Sequence, residues 1–176
     1  MDIKEAAFEY FIDSLINWYK SLKDDEYYLA SFTKLKLIKL LFFASAVNAK
    51  DGNYGLLHKF DKFVAMTFGP VESDVLNLIN NSNTGKYKIS DKALIVLQDN
   101  VTNEIDVGTK KLIDEAITSL KKINPDLILY NAFDLVDLSH RWSCWQITFK
   151  YAQDQNKGSL LIPNELIVQS DKYYTI

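Results

Sequence analysis

Most of the chain places its apolar residues at helical spacing, and only two short apolar stretches suggest strands. From Ile3 to Leu22 the apolar positions are Ile3, Ala6, Ala7, Tyr10, Phe11, Leu15, Trp18 and Leu22, which make one helical stripe. Lys23, Asp24, Asp25 and Glu26 break it. A second helix is expected over residues 31–49, capped by Ser31 or Thr33. Its apolar residues, among them Leu37, Leu40, Leu41, Phe42, Phe43 and Val47, cover most of its circumference. A helix of that kind is buried on several sides, so this one is expected at the centre of the fold. Asp51, Gly52, Asn53 and Gly55 end it with turn residues.

Beyond that point the pattern is mixed. Phe63 to Phe68 reads as a short extended segment, and Gly69-Pro70 as the start of a helix with Glu72 and Asp74 near its positive end. Residues 93–97 fit either a strand or a short buried helix. From Asp106 the helical spacing returns through Leu112, Ile113, Ala116, Ile117 and Leu120. Asn124-Pro125 reads as the next helix start. Another helix is expected over residues 142–151, and a short last one after Pro163. The expected architecture is therefore mainly α, one compact multi-helix domain around the central helix. A small β element is expected near residues 60–68 or 87–100. No internal repeat or long linker divides the 176 residues.

Composition narrows the function. The net charge of -3 is spread over scattered charges of both signs. The densest basic run, Lys34, Lys36 and Lys39, sits inside the most apolar segment, so no nucleic-acid face is expected. No stretch is long and apolar enough to suggest a membrane span. The single cysteine, Cys144, excludes an internal disulfide, and a cytoplasmic location is expected. Ligands for chemistry are few, with only His58 and His140 as imidazoles. Asp134, Asp137 and His140 recur every three residues, which on one helix would offer two carboxylates and an imidazole to a metal. His140 and Cys144 lie four apart, the spacing of a shared helical face. Neither grouping comes with a second motif, and both fit ordinary structural roles as well. No phosphate-binding loop or nucleophile elbow is present, so no catalytic residue and no cofactor is expected. Trp142, Trp145, Phe149 and Tyr151 read as core packing ahead of interface, with Trp145 the expected core member.

Three segments, taken in order, resemble the Panacea domain of SocA-like antitoxins and phage-associated proteins. Leu37-Ile38-Lys39-Leu40-Leu41-Phe42-Phe43-Ala44 is similar to its central helix, Phe68-Gly69-Pro70-Val71 to its Gly-Pro turn, and Leu138-Ser139-His140 followed by Trp145 to its third motif. The resemblance covers residues 31–150, flanked by a helix within 1–25 and a tail over 158–176. Phe42 replaces a common Tyr, and Cys144 a common Pro. The resemblance implies a nearly all-helical fold and a non-catalytic antitoxin that binds a protein toxin encoded beside it. It also leaves open an adaptor that delivers a toxin to a Clp-type protease. A metal enzyme using Asp134, Asp137 and His140, and a phage or mobile-element regulator that binds nucleic acid, are the rival readings. The resemblance places Lys39, Gly69, Pro70, His140 and Trp145 at motif positions. A buried Lys39 calls for a carboxylate or carbonyl partner, with Asp134 and Asp137 as the candidate carboxylates. The helix Ile3–Leu22 lies outside the matched core and is expected to add specificity.

Overall fold

The computed structural model describes residues 3–81, 84–98 and 104–176. Among them the chain forms seven α-helices, α1 (Ile3–Leu22), α2 (Lys34–Val47), α3 (Ser73–Asn81), α4 (Val107–Ile123), α5 (Ala132–His140), α6 (Ser143–Asp154) and α7 (Asn164–Gln169). Five short strands accompany them, β1 (Phe63–Met66), β2 (Gly69–Glu72), β3 (Tyr87–Ile89), β4 (Leu94–Val96) and β5 (Leu160–Leu161). The fold is mainly α, with β elements at both expected places.

α2 is the centre. Thr33 caps it, its side chain accepting from the Lys36 amide. From Lys36 to Ala46 every residue is buried, including both lysines. Lys36 and Lys39 are therefore not part of a basic surface, and the partly buried Lys34 pairs with Asp91. α4, α5 and β2 pack around α2. At its far end Lys172 Nζ donates to the carbonyls of Ala46 and Ala49, where the helix terminus gathers carbonyl oxygens.

α1 contributes Phe8, Phe11, Ile12, Leu15 and Trp18 to the same core. Each such burial is worth about 1.5–3 kcal/mol. The Trp18 indole donates to Pro125 O at 3.1 Å. Three carboxylates one turn apart, Glu5, Glu9 and Asp13, grip the start of the β3–β4 hairpin. Glu5 takes the Gly85 amide, Glu9 the Lys86 amide, and Asp13 the Lys86 ammonium and the Tyr87 hydroxyl. α1 is thus a wall of the core, although it lies outside the segment with the family resemblance.

Gly69-Pro70 does not start a helix. Gly69 has φ +93°, outside helical space, and Gly69–Glu72 pairs antiparallel with Phe63–Met66. α3 begins only at Ser73. Glu72 is fully buried and its carboxylate accepts the Val75 amide at 2.8 Å, so it does meet the positive end of a helix. Lys4 pairs with the same carboxylate and with Asp61 and Asp74. Asn124-Pro125 is not a helix start either. Asn124 caps the end of α4, a single tight turn follows at Leu127–Leu129, and Asn131 caps α5.

Candidate functional site

β1 and β2 meet at a two-residue turn, Thr67-Phe68, closed by the Met66–Gly69 pair. The three sequence motifs converge on this turn. Lys39 comes from α2, Gly69 and Pro70 from β2, Ser139 and His140 from the end of α5, and Trp145 from the first turns of α6.

Lys39 is fully buried and donates to Pro70 O at 2.7 Å. The partner is a carbonyl and not Asp134 or Asp137. Burial pushes the Lys39 amine down to about 7. Gly69 is packed from two sides. A Cβ there would run into Ser139 Oγ and reach 3.0 Å from Lys39 Nζ. Glycine is thus required by both backbone angle and space. The Trp145 indole donates to Met66 O at 2.9 Å, tying α6 to the last residue before the turn.

The His140 ring lies flat on Trp145, with centroids 3.9 Å apart and planes at 12°. Trp145 in turn stacks on Phe149 at 5.0 Å and 13°. Burial holds His140 below the usual imidazole range, and the nearby Lys39 charge acts the same way. The Thr67 backbone and Asp137 oppose both. His140 Nε2 is buried with no hydrogen-bond partner among the described residues. The turn is fixed on three sides, yet the side chain at its tip is free. Phe68 is 55% exposed, a large ring held out by a rigid hairpin.

Trp142, not Trp145, is the core tryptophan. It is fully buried against Phe42 and Phe43, whereas Trp145 is half-buried and Tyr151 is exposed. Trp142 is the residue just before α6, and its ring is directed back into the core. Phe68 and Ser139 fall inside the motif segments, yet the sequence gives neither of them a role. The extended segment expected over Phe63–Phe68 runs through the turn residues, and nothing local marks a ring left in solvent.

The other candidate groupings are not assembled. Asp134 turns back to accept the Asn131 amide in a capping box, at the opposite end of α5 from His140. Among the described residues no group of three or more His, Cys, Asp or Glu side chains is placed to hold a metal ion. His140 ends α5 while Cys144 belongs to α6, so the spacing of four spans a corner and not one helical face. Cys144 is buried and its thiol is pushed up by burial, which keeps it out of the reactive thiolate form. Among the described residues no helix is long and apolar enough to cross a membrane.

No curated protein and no solved structure matches the chain. A family model described as antitoxin SocA-like, Panacea domain, matches residues 37–146, more than half of the chain. The match runs from the helix that carries Lys39 to the residue after Trp145, and so encloses every side chain that fixes the turn. The chain belongs to the SocA-like antitoxin, Panacea domain, family.

Proposed function

We propose that this protein is a non-catalytic antitoxin-type binding domain that neutralises a protein toxin, encoded beside it, by direct contact. The contact is centred on Phe68 at the tip of the β1–β2 hairpin. The observation that carries this reading is the division of labour at the turn. The motif residues Lys39, Gly69, Pro70, His140 and Trp145 brace the hairpin from inside, and the ring they hold in solvent is Phe68. Aromatic side chains on rigid supports make good interface anchors, because little conformational entropy is lost when they are covered. In this reading the motif residues shape the surface and do not themselves touch the partner.

The test is co-expression of the adjacent reading frame, alone and with this chain. Toxicity relieved by the chain, with the two proteins co-purifying, supports the reading. Phe68→Ser is expected to abolish relief while leaving the melting transition within about 0.5 kcal/mol of wild type. A harmless neighbour, or full relief by the Phe68→Ser chain, overturns it.

A further inference from the structure

Residues 171–176 have no regular secondary structure and lie over the core, with only Tyr174 of the six buried in it. The Tyr174 ring is buried edge-on against Phe43 and Trp142, with centroids 5.9 and 5.6 Å away. Every polar tether on this segment uses a side chain. Lys172 Nζ reaches the carbonyls at the end of α2. The Trp142 indole donates to Tyr173 O at 3.3 Å, Asn124 Nδ2 to Tyr174 O at 2.7 Å, and an Arg141 guanidinium nitrogen to Thr175 O at 3.0 Å. Arg141 also stands 4.5 Å over the Tyr173 ring. Among the described residues no backbone-to-backbone hydrogen bond links the segment to any helix or strand.

A segment held in this way can leave without breaking a ladder or a helix turn. Two of its groups also sit unfavourably when it is docked. The Tyr174 hydroxyl is buried with no hydrogen-bond partner among the described residues. Lys172 is partly desolvated with only carbonyls to meet, and burial lowers its pKa. Lys172, Val47 and Ala49 also line a groove of about 890 Å³ that runs on between α2 and α4, bordered by Lys110, Asp114 and Thr118. Undocking the segment would join that groove to the slot over Phe43 and Trp142.

We propose that residues 171–176 are a displaceable strap, which closes this slot in its own chain, opens as a unit while the helices stay folded, and leaves a seat for an extended tyrosine-bearing segment of the same kind. Local opening of this type is a low-energy excursion, distinct from global unfolding. It is independent of the hairpin surface.

Native-state hydrogen exchange on the full chain tests it. The Trp142 indole proton and the Asn124 amide side chain are expected to exchange at least tenfold faster than the α2 backbone amides, at a rate that low urea does not change. Tyr174→Ala is expected to speed both further and leave the α2 amides unchanged. Tyr174→Phe removes the unpartnered hydroxyl and is expected to slow them, by about tenfold. A synthetic peptide covering residues 170–176, added to the Tyr174→Ala chain, is expected to restore protection at Trp142. Exchange of the Trp142 proton in the wild-type chain only through global unfolding, in step with α2, would overturn the strap. Failure of the peptide to restore protection would overturn the seat.

Discussion

The hydroxyl of Ser139 occupies the place where a side chain on residue 69 would begin. A Cβ built on Gly69 runs into Ser139 Oγ, and the backbone there has φ +93°. Gly69→Ala therefore faces two separate costs, a backbone angle that L-residues avoid and a steric overlap. Together they are expected to destabilise the fold by about 2–4 kcal/mol. The two can be separated. Ser139→Ala removes the overlapping oxygen and loses a hydrogen bond to Val136 O. The double variant is expected to recover part of the Gly69→Ala loss, and urea denaturation of all four chains gives the coupling. Simple additivity would mean the overlap is relieved elsewhere.

Lys39 makes stability depend on pH in a predictable direction. Its amine sits at about 7 in the folded chain against an ordinary 10.5. Between those values the unfolded chain carries a proton that the folded chain lacks, so stability rises with pH across that window. Below about 7 the cost of burying the ammonium is fully present and constant. The slope for one group is at most about 1.4 kcal/mol per pH unit. Lys39→Met is expected to remove that slope between pH 7.5 and 10. At pH 6 it is also expected to raise stability, less the cost of leaving Pro70 O without its donor, about 1–3 kcal/mol. Lys36, lowered to about 8 by burial, contributes the same sign and remains in both chains. Denaturation midpoints at four pH values check this, and an unchanged slope would mean Lys39 stays charged.

The two tryptophans of the third motif region should respond differently. Trp142 is sealed in the core, and Trp142→Ala is expected to cost about 3–5 kcal/mol. Trp145 is half-buried, so Trp145→Ala is expected to cost less, about 1–2 kcal/mol. It also uncovers His140, whose ring it now shields at 3.9 Å. Since burial is the main cause of the lowered His140 pKa, the imidazole is expected to titrate higher in Trp145→Ala. NMR titration of the His140 ring protons reads this directly, and an unmoved pKa would show that Trp145 is not what keeps water away.

Which features were legible from the sequence follows from whether their cause was local. α1 and α2 announce themselves because a stripe or a full apolar cylinder is written in the spacing of their own residues, and Thr33 as a cap is a neighbour effect. Gly69-Pro70 misled because the same pair opens helices elsewhere. What decides it here is a strand partner, Phe63–Met66, and a lysine from α2, neither of which the turn itself encodes. Asn124-Pro125 misled for the same reason, since Asn124 is drawn to the Tyr174 carbonyl fifty residues on. The motif residues were found, but not their convergence on one hairpin, because convergence is a property of the packed fold. Trp142 and Trp145 could not be ranked from their spacing. The corner between α5 and α6 rotates one inward and leaves the other on the sheet.

The expectation that the first helix adds specificity needs a different experiment from simple truncation. α1 places Phe8, Phe11, Ile12, Leu15 and Trp18 in the core, and its three acidic residues hold the β3–β4 hairpin. A single Leu15→Ala is expected to cost about 2–5 kcal/mol. Deleting residues 1–25 would remove several such side chains at once, more than the 5–15 kcal/mol by which a domain is usually stable. The truncated chain is therefore expected to lose its cooperative melting transition by circular dichroism, and any loss of binding would then report unfolding. The outward positions Asn17, Lys20 and Ser21 are exposed and can be changed without touching the core. Asn17→Arg with Ser21→Arg is expected to keep the wild-type transition within about 0.5 kcal/mol. If that chain still relieves toxicity fully, α1 is scaffold. A folded, cooperative 1–25 deletion would instead contradict the burial described above and return α1 to the role of a separable addition.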